Sequence, residues 1–306
     1  MPFFTTLVIK LSPLYFNILL GYIAGKKLDA NRDTIAQIMF YLIGPLVIFN
    51  GVLNTKIDAS ILSLPFLTLC LASFISIVFY RLSCHIWEDS SKNIMAFSAG
   101  SGNTGYFGIP LAMMIFEPQA EGIYIMSLLG ITLYENSLGY YISAKGTNTP
   151  AQCLLKLLRL PAIYAFILGL LLNYSQMPIP EVFNDFMGHI KGVYIVLGMM
   201  IIGLGLAGLT NFKLDFKFIG MTFLAKFFVW PFFVLTIIAI DSHFLGIYDP
   251  IAHKALILLS IVPLAVNTVV MASLMKAFPE KAAATVLLST IFALIYVPLM
   301  VTFLLM

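Results

Sequence analysis

Residues 94–116 read IMAFSAGSGNTGYFGIPLAMMIF, an apolar run of membrane-spanning length that is interrupted at its centre. Gly100, Gly102, Gly105 and Gly108 precede Pro110, with Ser101, Asn103 and Thr104 among them. Each glycine costs a helix interior about 1 kcal/mol relative to alanine, and proline removes a backbone donor. The run therefore predicts a membrane helix unwound near mid-bilayer, where freed N–H and C=O groups are tolerated only inside protein or beside a wet cavity. Close packing against a neighbouring helix is the alternative use of the same glycines. A phosphate-cradling loop is excluded, because GSGNTG is followed by no lysine and lies inside an apolar run.

The rest of the chain has the same character. Of 306 residues 60% are hydrophobic and 10% charged, with mean hydropathy +0.99. Soluble domains carry roughly 25% charged residues, so this chain cannot cover itself with a wettable surface and has the lipid bilayer as its partner. A net charge of +3 is too small and dispersed for a nucleic-acid partner. Cys70, Cys84 and Cys153 are scattered, with no metal-ligand spacing, and a disulfide framework is not expected. No HExxH, GxSG-type serine or intramembrane aspartate pair is present, and the four histidines fall in or beside loops, so neither an enzyme nor a resident metal or cofactor is expected. The first apolar run lacks a basic leading segment and is read as a span.

At about 20 apolar residues per span, ten segments emerge: 5–25, 34–54, 60–80, 94–116, 122–144, 158–174, 188–210, 217–240, 251–276 and 283–306. Odd-numbered connectors hold twelve Lys and Arg and even-numbered ones three, counting Lys191 and Lys254 at span edges. Basic loops stay in the cytoplasm, so both termini are expected outside it.

The halves echo each other five spans apart. Asn103-Thr104 in the fourth span matches Asn267-Thr268 in the ninth, LLSIVPLAVNTVVMASLM (258–275), which is interrupted at Pro263. Ile43-Gly44-Pro45 and Lys56-Ile57-Asp58 match Ile202-Gly203-Leu204 and Lys213-Leu214-Asp215. Five is odd, so a duplicated half is inverted in the membrane, and broken helices at matching positions point to a central substrate site. The predicted fold is all-α: ten spans in a 5+5 inverted repeat, residues 1–145 and 146–306.

GNTGYFGIPL (102–111), Gly44-Pro45 and VPLAVNTVVMA (262–272) resemble the auxin efflux carrier family, which includes the plant PIN exporters and bacterial carriers linked to malonate or malate. The resemblance covers the whole chain and implies the fold of bile acid:sodium symporters. Spans 1, 2, 6 and 7 would form a scaffold, and spans 3–5 and 8–10 a transport domain. The fourth and ninth helices would cross there, with substrate beside the crossing at Gly102, Asn103, Thr104, Gly105, Pro110, Pro263, Asn267 and Thr268. The long cytoplasmic loop of plant PINs is missing, which argues against an auxin substrate and suits a short bacterial carrier in the cell membrane. A homodimeric partner is compatible with this.

Two ionisable residues lie deep in spans, where charge is costly and often functional. Glu135 and Lys226 fall ~15 Å and ~13 Å from the cytoplasmic ends of spans five and eight. Matched depth predicts an ion pair; handling of a proton or of a substrate charge are the other roles open to them. Helix N-termini exposed at the breaks suit an anion, and freed carbonyls suit Na+, so H+ and Na+ coupling both stay open. The expectation is an efflux-type secondary carrier of small organic anions. A sodium-coupled importer, a channel and a membrane sensor are the competing functions.

Overall fold

Prolines and capping side chains punctuate the chain. The computed structural model describes residues 2–144, 158–208 and 214–305, and its regular structure is helical throughout. Helix α1 (Pro2–Lys27) ends on a basic pair. Asn31 accepts the Thr34 N–H at 3.0 Å to start α2 (Arg32–Ile38), which passes through a π turn into α3 (Gly44–Leu53). Asp58 accepts the Ile61 N–H at 2.9 Å and starts α4 (Ala59–Cys84). Then come α5 (Ser91–Gly100), α6 (Ile109–Ile115), α7 (Pro118–Asn136) and the short α8 (Leu138–Ser143). The second half runs α9 (Pro161–Ser175), α10 (Glu181–Ala207), α11 (Phe216–Phe223) and α12 (Trp230–Ile240). It closes with α13 (Pro250–Ile261), α14 (Asn267–Leu274) and α15 (Pro279–Leu304).

Three π turns share one cause. They occupy Met39–Ile43, Thr104–Gly108 and Leu224–Val229, and each ends two residues before a proline: Pro45, Pro110 and Pro231. A proline cannot donate to the carbonyl four residues back, so the hydrogen-bond register slips ahead of it. Ahead of Pro45, the Gly44 N–H reaches Met39 O instead. The carbonyl that Pro231 leaves without its usual donor, Phe227 O, accepts the Tyr296 hydroxyl at 2.8 Å.

Six segments are long and apolar enough to cross a bilayer: Thr5–Lys27, Arg32–Leu53, Ala59–Cys84, Glu181–Ala207, Phe216–Leu245 and Pro279–Leu304. The other expected spans differ in form. Residues 94–116 and 251–276 are each two short helices around a non-helical break, at 101–103 and 262–266. The segment expected at 122–144 is α7 and α8, parted at Ser137, whose backbone (φ −120, ψ −99) leaves the helical region. The sixth segment is the 15-residue α9, about 22 Å long. Helix α10 begins at Glu181, well before the expected residue 188. The connector 145–157, with Lys145, Cys153 and Lys156, and Lys213 lie outside the described residues.

Helix α1 packs along α10, and α3 against α9 and α10; α7 packs on α4 and α13, and α4 on α5. Where α1 meets α10 the backbones touch. A Cβ on Gly203 would collide with the Ile18 carbonyl, and one on Gly21 with the Met200 carbonyl. Such approach maximises dispersion contact between helices in lipid, where no hydrophobic effect drives them together. The outer surface is apolar: Phe66, Phe228, Phe232, Ile295 and Phe303 are all mostly exposed. That exterior suits hydrocarbon, not water.

Candidate functional site

The two helix breaks meet through their backbones. The Asn103 N–H donates to the Pro263 carbonyl at 2.9 Å, so each break satisfies a group that the other has freed from helical bonding. Neighbouring helices anchor the rest of the unwound chain. Tyr124 of α7 donates to the Thr104 carbonyl at 2.9 Å, and Ser289 of α15 accepts the Leu264 N–H at 3.2 Å. Ahead of the break, Tyr134 donates to Ser76 at 2.8 Å and Ser76 to the Ala96 carbonyl at 2.9 Å.

Beside this crossing lies a cavity of about 130 Å³. Gly102, Asn103, Thr104, Gly105, Glu135 and Asn267 line it, six of the residues expected from sequence. Within it, Asn267 Nδ2 donates to Glu135 Oε2 at 2.7 Å. The other carboxylate oxygen, Oε1, is buried without a hydrogen-bond partner, as is Asn103 Nδ2. Native proteins seldom leave buried polar atoms unpaired. An open acceptor and an open donor on residues lining one cavity are therefore places for a ligand, a proton or water.

Four expected residues stand behind the lining. Pro110 lies in the first turn of α6 and sets the π turn that carries Thr104 and Gly105. Pro263 contributes its carbonyl. Thr268 is fully buried, its hydroxyl unpartnered. Lys226 is also fully buried, its ammonium 4.8 Å from the Trp230 ring centroid and so close to Gly102 that a Cβ there would lie 2.5 Å from Nζ. Trp230 Nε1 donates to the Ala99 carbonyl at 2.7 Å, which fixes this group at the C-terminal end of α5, where aligned carbonyls favour a cation.

The expected direct contact between Glu135 and Lys226 is not made. Salt bridges within 4.0 Å among the described residues join Lys191 to Glu121, His253 to Asp241 and Lys281 to Asp215. Glu135 reaches Asn267 instead and stays within electrostatic range of Lys226. Depth along two helices fixes height, but lateral placement comes from packing.

Other features escaped the sequence. Lys191 looked like an edge lysine, yet its Nζ lies 2.9 and 3.0 Å from the two oxygens of the buried Glu121, bridging α10 to α7. His253 lies inside α13 and holds Asp241 at 2.8 Å. Tyr106, inside the GNTGYFGIPL stretch, and Tyr194, whose sequence surroundings do not mark it, also line the cavity. Thr132 and Asn136 were not singled out either, although with Leu128 and Glu135 they form one stripe of α7 at helical spacing, and all four line the cavity.

A sequence profile of the membrane transport protein family, the auxin efflux carrier family, matches residues 6–141 and 147–301. The chain belongs to that family. It is a multi-pass membrane transporter and not an enzyme. An uncharacterized transporter of Methanocaldococcus jannaschii is 24% identical over 295 residues, which cover 92% of this chain and 94% of that protein. A second uncharacterized transporter, from Methanothermobacter thermautotrophicus, is 23% identical over 195 residues, 62% of this chain and 64% of its own.

Proposed function

We propose that this transporter is a secondary carrier of small organic anions that works by alternating access, exporting its substrate. The observation that carries this reading is the cavity at the Asn103–Pro263 crossing, where Asn103 Nδ2 and Glu135 Oε1 stand unpaired. The open amide suits a carboxylate. An anion and the Glu135 carboxylate disfavour each other in so small a space unless Glu135 takes up a proton. The reading therefore couples substrate to H+ rather than Na+.

The same proposal takes the chain as ten spans in two inverted five-span halves, 1–145 and 146–306, with both termini outside the cytoplasm. Asp58 and Asp215, five spans apart in that scheme, cap α4 and α11 in the same way, each accepting the N–H three residues on. Helices α1, α2–α3, α9 and α10 would form the scaffold. The remainder would move against it, carrying the crossing.

Counterflow of labelled dicarboxylates, auxin-like acids and bile acids in proteoliposomes, with and without Na+, tests the proposal. Saturable, Na+-independent counterflow of at least one carboxylate is expected. Conductance without counterflow would make the protein a channel, and strict Na+ dependence would favour the sodium-coupled importer.

A further inference from the structure

A second cavity, of about 530 Å³, lies between α1, α10, α14 and α15 at the start of α2, on the side carrying the basic connector 26–33. It and the central cavity share Val266, at the end of the second break. Arg32 lines it. Gly205 of α10 adjoins this side chain: a Cβ there would sit 3.6 Å from Arg32 Nε, at ordinary contact distance. That Nε is buried and has no hydrogen-bond acceptor.

The cavity holds two acidic residues, Asp29 and Asp33, and both are exposed. Among the described residues no carboxylate lies within 4.0 Å of the Arg32 guanidinium. Tyr106, which lines the central cavity, is an electrostatic neighbour of Arg32 on one side and of Glu135 on the other. Asp33 acts on Arg32 only through its field, without a salt-bridge contact, and a half-buried guanidinium with no anion against it, in a wide cavity adjoining the central one, is an incomplete arrangement. Its planar fork matches a carboxylate in bidentate fashion.

We propose that Arg32 is the anion-capturing residue of a vestibule that feeds the central cavity, and that its ligand is a carboxylate. The identity of that anion as the transported substrate rests on the carrier reading above; the site itself does not.

The test uses purified full-length protein in detergent, with Cys70, Cys84 and Cys153 replaced by serine and a single reporter, Leu287→Cys, in the vestibule wall. Its reaction rates with anionic MTSES and cationic MTSET are compared. Removing one positive charge from the cavity that the reporter lines should lower the MTSES/MTSET ratio roughly tenfold in Arg32→Gln, while Arg32→Lys keeps it. Gly205→Asp reaches the same end without touching Arg32: it places a carboxylate beside the guanidinium and should lower the ratio likewise, whereas Gly205→Ala should not. Malonate, as the probe carboxylate, should slow labelling by uncharged methyl methanethiosulfonate in the parent and not in Arg32→Gln. An unchanged ratio in both Arg32→Gln and Gly205→Asp, a reporter inert to both reagents, or no protection by malonate would each overturn the proposal. A lowered ratio with malonate protection, in a protein showing no carboxylate counterflow, would sustain the site and overturn the carrier reading instead.

Discussion

Asn267 hands its side-chain amide to Glu135 across 2.7 Å, joining residues 132 positions apart at the wall of the central cavity. The bond ties Oε2 of Glu135, on α7, to the start of α14 and leaves Oε1 open. It makes the first residue of α14, just after the break at 262–266, a positioning element for Glu135, the acidic side chain among the described residues lining the cavity.

Asn267→Ala should therefore act through Glu135. It removes the donor from a buried carboxylate, a loss of about 1–3 kcal/mol, and should weaken substrate binding by one to two orders of magnitude at that scale. In Glu135→Ala, which has no acceptor, Asn267→Ala should cost much less. A double-mutant cycle on binding, read by calorimetry, checks this; strictly additive losses would show that the bond does not matter to binding.

Glu135→Gln should abolish the pH dependence of transport while the protein stays monodisperse, because the proposed coupling proton has lost its seat. Lys226→Met should not restore it. No direct salt bridge joins Lys226 to Glu135, so the coupling between these two substitutions should be about 1 kcal/mol, below the 3–5 kcal/mol typical of breaking a contacting buried pair. Transport rates of the four proteins across pH 5–8 settle the matter.

The Lys191–Glu121 bridge joins α10 to α7, elements that the proposed mechanism moves past each other. Lys191→Met should destabilise the arrangement seen here by about 1 kcal/mol, since Lys191 is partly exposed and solvent screens the pair. Populations would then shift roughly fivefold towards the alternative state. Distances between spin labels on α7 and α10 should show a second population growing in Lys191→Met; an unchanged distribution would mean that these helices do not separate.

Topology is checked by thiol labelling. Single cysteines at Glu117 and Met177, both exposed, should react with impermeant reagents in intact cells, and one at the exposed Glu88 should not. External labelling of Glu88→Cys would reverse the orientation derived from the Lys and Arg bias.

Composition alone determined that this chain lives in lipid: with 10% charged residues it has no alternative. The breaks were equally local, because the glycines between 100 and 108, Pro110 and Pro263 weaken the helix wherever they stand. Hence Asn103, Thr104 and Asn267 could be named from sequence, as could the family, whose motif lies in the same stretch. Tertiary structure decided what those breaks and charges meet. Glu135 and Lys226 share a depth, which counting residues along a helix gives. Which neighbour each one touches depends on helix rotation and lateral packing, and a hydrophobic period that faces lipid outside and protein inside barely records either. So Glu135 found Asn267, Lys226 found Trp230 and the end of α5, and Lys191 found Glu121. These contacts are set by side chains brought together from distant segments, and no local stretch of sequence carries that information.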